Sequence, residues 1–265
     1  MNQALGNAQL EIGHVISRTF ATIGANFATF LLLAILFAGL PAVLVGYLTQ
    51  AVLFPLVMSN ADPSSYLGMF YLVQFVGVML MWLPLYVLIG ALTHGSVMYL
   101  NGERASLASC LGTGFSRSLH LLGLGLLSAL GMTFLLVLLV VPGIMAAVRW
   151  SVAAPALVVE RTGVFGAFSR SGDLTRGNRW RIFWLFVIWV IAGYIIQLCV
   201  AALIGLAAGT IASVGYGAVW IYFGITGINA AISNMIGAAG SAALYAELRE
   251  IKDGATSEQL AKVFD

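Results

Sequence analysis

Apolar runs dominate the chain from Ala28 to Leu248, and several exceed the ~20 residues that carry a helix across a bilayer. The charge count points the same way. Only 8% of the residues are Asp, Glu, Lys or Arg, against about 25% in a water-soluble domain. So few charges cannot cover a surface in water, and lipid must be the solvent. The expected fold class is all-α: a polytopic integral membrane protein.

The runs divide into six crossings, near Ala28–Phe54, Tyr66–Leu100, Leu119–Val141, Pro142–Val159, Ile182–Ala208 and Ala218–Leu248. The fourth is short, holds Arg149, Trp150 and Pro155, and on periodicity alone could be re-entrant. Lys and Arg translocate poorly and collect in cytoplasmic loops. Six crossings put both termini and the 101–118 and 160–181 segments on one side, together with every Lys and Arg but Arg149. Five would move Arg249, Lys252 and Lys262 across. Both termini are therefore expected in the cytoplasm. The start, "MNQALGNAQLEIGHVISRTF", lacks the basic and apolar regions of a signal peptide. The expected organisation is one membrane domain over 1–250 and a cytoplasmic tail over 251–265. In the tail, Gly254 is expected to break the helix ahead of a short helix, "SEQLAKVF".

The stretch "RTGVFGAFSRSGDLTRGNRWR" gathers Arg161, Arg170, Arg176, Arg179 and Arg181, five of the twelve Lys and Arg. Phe165, Phe168 and Leu174 alternate with its polar residues, the pattern of a helix lying in the interface plane. Trp180 suits the headgroup zone, as aromatic rings there generally do. Two earlier segments look alike: "LEIGHVISRTFATIGANF" and "ERASLASCLGTGFSRSLH". The last shares "FSRS" with the arginine stretch. Three units, 7–100, 103–160 and 161–250, each with an interfacial helix ahead of a hairpin, are one reading; convergent interfacial chemistry is the other. Arg170, Arg176, Arg179, Arg181 and Trp180 are expected to bind anionic lipid, because basic segments gain about 1 kcal/mol per residue at an anionic leaflet.

Catalytic chemistry finds little purchase. His14, His94 and His120 have no second ligand at helical spacing, Cys110 and Cys199 stand apart, and no GxSxG elbow occurs. No metal or cofactor is expected. A net charge of +2 and the lack of basic–aromatic interleaving argue against nucleic acid. Arg149 stands out, placed roughly 10 Å into the fourth crossing by a 1.5 Å rise per residue. A guanidinium inside a span needs acceptors, and Gln197, Asn229, Ser233 and Asn234 are candidates, as are backbone carbonyls freed by Pro155. Arg149 is either a structural clamp or an anion or lipid-headgroup site. Thr226, Asn229, Ser233, Gly237 and Ser241 form one small, polar face on the sixth helix, expected to pack against a neighbouring helix.

The segment "VPGIMAAVRWSVAAPALVVERTGVFGAFSRSGDLTRGNRWRIF" resembles a bacterial family of six-helix membrane proteins. That family is named after the membrane domain of glycerophosphoryl diester phosphodiesterases. Pro142, Gly143, Arg149, Pro155, Glu160, Ala167, Arg170, Ser171, Leu174, Thr175, Gly177 and Trp180 carry the resemblance. It implies a six-helix protein of the bacterial inner membrane. It does not carry the phosphodiesterase activity, which resides in a separate metal-binding barrel. The expected function is a non-catalytic membrane protein that organises, stabilises or regulates a membrane complex and binds anionic lipid at its cytoplasmic face. Its partners would be lipids, a membrane-protein complex or further copies of itself. The alternative is a transporter or lipid-handling protein with a polar site near Arg149.

Overall fold

The computed structural model describes residues 9–58, 62–211 and 217–264. No strand occurs among them. Six helical segments are long and apolar enough to cross a membrane: Phe27–Leu56, Tyr66–Leu100, Leu107–Leu138, Val140–Glu160, Arg179–Ala202 and Trp220–Gly254. The all-α expectation is met.

Helix α1 (Ile12–Ala25) precedes the first segment and ends at Asn26. The first segment is not one regular helix. α2 (Phe27–Ala34), α3 (Leu40–Leu48) and α4 (Phe54–Met58) are joined by π-helical turns at Ile35–Gly39 and Thr49–Leu53. The first π turn ends at Gly39, where this segment touches the last helix. A Cβ on Gly39 would lie 2.9 Å from the carbonyl oxygen of Gly227, and one on Gly227 would lie 3.0 Å from that of Gly39. The two backbones meet because neither residue has a side chain.

Helix α5 (Pro63–Leu100) starts from Asp62, whose carboxylate accepts the Ser64 N–H at 3.1 Å. Proline suits the first helical position because no partner for its missing N–H would exist there. Helix α6 (Leu107–Leu138) starts from Ser106, whose hydroxyl accepts the Ser109 N–H at 3.1 Å. The expected interfacial segment before the third crossing is therefore the first part of one continuous helix. Small residues explain this. Cys110 and Gly114 are buried, and a Cβ on Gly114 would lie 2.6 Å from the Val87 carbonyl. That face packs closely on α5.

Helix α6 turns at Leu139 into α7 (Val140–Arg149), and α8 (Ala153–Glu160) follows after a three-residue break. The third and fourth segments thus divide at Leu139, a little earlier than the residues suggest. Then come α9 (Val164–Leu174), α10 (Arg179–Ile211) and α11 (Gly217–Phe264). α11 runs through Gly254 without a break, contrary to the expected separate helix "SEQLAKVF". An isolated glycine costs about 1 kcal/mol in a helix, too little to stop one of 48 residues.

Three apolar clusters hold the bundle. One joins Phe30 and Leu33 to Leu88, Leu92, Met235 and Ala239. A second joins Leu10 and Val15 to Val148, Val152, Leu174, Ile182 and Leu244. A third packs Ala153, Leu157 and Ala167 against Tyr86, Leu121 and Leu124. The second and third place α8 and α9 within the body of the fold.

Candidate functional site

The break between α7 and α8 organises the arginine-bearing end. Backbone groups freed by a helix break need partners, and one side chain serves two of them. The Ser171 hydroxyl donates to the Arg149 carbonyl at 2.7 Å and accepts the Val152 N–H at 3.3 Å. α9 is pinned across the gap. The next residue is Gly172, and a Cβ there would lie 2.8 Å from Arg149 Nε. The Arg149 side chain therefore lies over a bare backbone. Ala167, Ser171, Gly172 and Leu174 are buried, so α9 buries one face in the protein and leaves Phe165 exposed.

Several charges of this end are consumed internally. Arg170 Nε donates to Glu160 at 2.8 Å and its Nη2 to Asp253 at 3.0 Å. Tyr245 Oη donates to the same Glu160 at 2.8 Å. Burial alone would lower the pKa of Arg170, but its hydrogen bonds to Glu160 and Asp253 outweigh it and hold the guanidinium above its ordinary value. Arg181 donates to the Leu10 carbonyl at 2.7 Å and to the Gln9 side chain. The Leu10 N–H donates to Asn178 at 3.3 Å. Gly177, at φ +93°, permits the tight turn that carries Asn178. Across the molecule Arg18 pairs with Glu250 at 2.9 Å and Glu247 at 3.1 Å, and His14 with Glu247 at 2.9 Å.

Of the five candidate arginines, this leaves Arg149, Arg176 and Arg179. All three are exposed, and among the described residues none of their side chains has an ion pair or hydrogen bond. Arg179 lines a cleft of about 460 Å³. Val141, Ile144, Met145 and Val148 of α7 form one wall; Arg179, Trp180 and Phe183 of α10 form the other. Trp180 is 74% exposed. Arg149 directly follows Val148, and Arg176 sits in the turn ahead of Arg179. An apolar slot with the unpaired Arg179 in its wall suits a molecule with a hydrocarbon chain and an anionic head. Guanidinium matches phosphate through paired hydrogen bonds.

Arg149 differs from expectation in its surroundings. It lies at the level of α9, and among the described residues it bonds to none of Gln197, Asn229, Ser233 and Asn234. Asn234 instead donates to the Ala230 carbonyl of its own helix at 2.8 Å. The break at 150–152 ends α7 at Arg149 and brings it level with α9. The sixth-helix face also differs. Ser233 and Gly237 are exposed, and Thr226, Asn229 and Ser241 half-buried. The Thr226 and Ser241 hydroxyls donate to Phe223 and Ala238 carbonyls on their own helix. Close packing uses the adjacent face, with Phe223, Ala231, Met235 and Ala239 buried. Helical hydroxyls that bond back to their own turn lose the need for a partner.

Sequence reasoning missed several participants. Ser171 stood in the Arg–Ser pair but had no visible partner. Glu160 and Glu247 stand within two positions of Arg161 and Arg249 in the chain, but the groups they bond lie on other elements. Asp253 gave no signal beyond its charge. Among the described residues, no group of three His, Cys, Asp or Glu is placed to hold a metal.

Comparison with known proteins agrees with a membrane family. A family model described as a domain of unknown function (DUF7847) matches residues 64–248. A UPF0259 membrane protein of Pectobacterium carotovorum subsp. carotovorum (strain PC1) is 33% identical over 116 residues. That match covers 42% of this chain and 46% of the relative, so it spans about half the length of the curated protein. No solved structure matches the chain. The resemblance drawn from residues 141–183 is supported as far as a bacterial membrane family. The naming after glycerophosphoryl diester phosphodiesterases is not, and neither match names a catalytic family.

Proposed function

The chain belongs to the DUF7847 family, and on that premise we propose that this bacterial inner-membrane protein is non-catalytic and holds an anionic lipid at its cytoplasmic face. In this reading it organises, stabilises or regulates a membrane complex or an assembly of its own copies. The observation that carries it is the α7–α10 cleft, apolar inside and rimmed by Arg179, with Arg149 and Arg176 unpaired nearby. The positive-inside bias supports the sidedness. In this reading the arginine-bearing end, both termini and the tail from 251 lie in the cytoplasm.

The alternative, a transporter with a polar path, draws less support. No residue of α11 lines the cleft between α7 and α10, and Arg149 is exposed, its side chain over Gly172, rather than inside the bundle. A lipid-handling role would use the same cleft and differ only in whether the lipid exchanges.

Native mass spectrometry of the protein released from gentle detergent tests the reading. Phosphatidylglycerol or another anionic phospholipid should remain bound in preference to phosphatidylethanolamine. The triple variant Arg149→Gln, Arg176→Gln, Arg179→Gln should lose it, while Arg170→Gln, whose charge is internally paired, should retain it. Lysine at the three positions keeps charge but not paired phosphate geometry, and should bind in between. Equal retention by parent and triple glutamine variant would sink the site.

A further inference from the structure

We infer that α6 and α7 form a hairpin that enters the bilayer from the arginine-bearing side and turns back inside the hydrocarbon. Its apex is an interaction surface for the acyl chains of that leaflet. The inference rests on the proposed placement of the arginine-bearing end in the headgroup zone, and it adds a depth and a shape.

Composition is the first ground. From Phe134 to Val148 there is no polar side chain, yet the chain reverses at Leu139. The reversal is also exposed: Val137 by 80%, Leu139 and Val141 by 67% each. A connection emerging into water would bare all of this apolar surface. The connection before α5, "PLVMSNADPSSY", has the polar residues that water calls for.

Depth is the second. α7 has ten residues, about 15 Å at a 1.5 Å rise, half of a hydrocarbon core about 30 Å thick. Its base is fixed, because Ser171 ties the Arg149 carbonyl to α9. α9 itself stands between Arg161 and Arg176 and holds the paired Arg170, which keeps it in the headgroup zone. The α6 arm agrees. A Cβ on Gly131 would lie 2.9 Å from the Trp150 ring, and one on Gly143 would lie 2.5 Å from Leu136. The arms are in register about Leu139, and α6 continues only from 132 to 138 beyond the Trp150 contact. The α10 wall of the cleft is Arg179, Trp180 and Phe183, in the first turns of that helix.

Backbone pairing is the third. Hydrocarbon penalises each unpaired amide. The Leu139 N–H donates to the Leu135 carbonyl at 2.9 Å and the Gly143 N–H to that of Leu139 at 3.5 Å. Pro142 removes another donor from the first turn of α7. A hairpin that returns to its own side leaves 101–118 and 160–181 together, as two full crossings would. The charge bias therefore holds under both arrangements.

The test uses Leu139→Cys in the full-length protein with Cys110→Ala and Cys199→Ser. An impermeant maleimide should leave it unlabelled in intact cells and in inverted vesicles, while Ser64→Cys, at the exposed start of α5, is labelled from outside. A nitroxide attached to Cys at 139 in detergent and returned to nanodiscs should be relaxed strongly by oxygen and weakly by a water-soluble nickel chelate. Nickel should act most weakly at 139 and more strongly towards Arg149→Cys. Labelling at 139 from either aqueous side, or nickel access matching that of Ser64→Cys, overturns the hairpin. Loss of lipid retention in the arginine variants concerns the cleft alone and leaves this outcome unaffected.

Discussion

Ser171 shows how much one hydroxyl carries at the arginine-bearing end. It joins α7, α8 and α9 by bonding the Arg149 carbonyl and the Val152 N–H across a helix break. Removing a partner from buried polar groups costs about 1–3 kcal/mol per orphaned group. Ser171→Ala should therefore lower the thermal midpoint in detergent and loosen Arg149 from Gly172, whereas Ser171→Thr, which keeps the hydroxyl, should lose less. A midpoint unchanged by the alanine substitution would show the gap to be held by apolar packing alone. The sequence displayed this residue without its role. "FSRS" occurs at 115–118 and again at 168–171. Ser118, however, donates at 2.8 Å to the Phe115 carbonyl of its own helix. Identical neighbours gave different bonds because the deciding partner lies about twenty residues away in the chain. Arg170 makes the same point: its positive charge was legible, but Glu160 and Asp253 as its partners were not.

At the scale of elements, glycine placement separates contact from open space. A Cβ on Gly227 would lie 2.7 Å from Val43 and 3.0 Å from the Gly39 carbonyl, whereas one on Gly237 would meet nothing within 4 Å. Overpacking costs typically about 1–3 kcal/mol. Gly227→Ala should lower the unfolding midpoint measured by differential scanning fluorimetry, and Gly237→Ala should leave it level or raise it slightly. The opposite ranking would move the α3–α11 contact to the polar face. Helix existence was readable here because each apolar run is long and lipid leaves the backbone few choices. The interruptions were not. Asn26 and the 150–152 break hold no proline or glycine to announce them, and the turn at Leu139 falls three residues ahead of Pro142 and Gly143; tertiary contacts fix their places instead. The same holds for the interfacial segment that became the start of α6. Its small residues packed on α5, and amphipathicity alone cannot tell that face from one lying on lipid.

For the whole molecule, two distributions set the architecture: apolar length and positive charge. Length and composition supply six membrane-scale segments, and the concentration of arginines gives them a common end. Ion pairs then draw the N-terminal helix and the tail helix onto that end, through Arg18 with Glu247 and Glu250, and Arg170 with Asp253. Arg179, left unpaired, lines the α7–α10 cleft. Anionic lipid there would complete the charge balance of the end and fill an apolar slot in the same event. The most direct measurement is crosslinking with a phosphatidylglycerol analogue bearing a diazirine midway along one acyl chain, in nanodiscs, followed by peptide mapping. A lipid seated in the cleft predicts adducts concentrated on Ile144, Met145, Val148 and Phe183, competed by unlabelled phosphatidylglycerol and lost in the Arg149, Arg176, Arg179 glutamine variant. Adducts spread evenly over the exposed faces of α5 and α10, and unchanged in that variant, would contradict it.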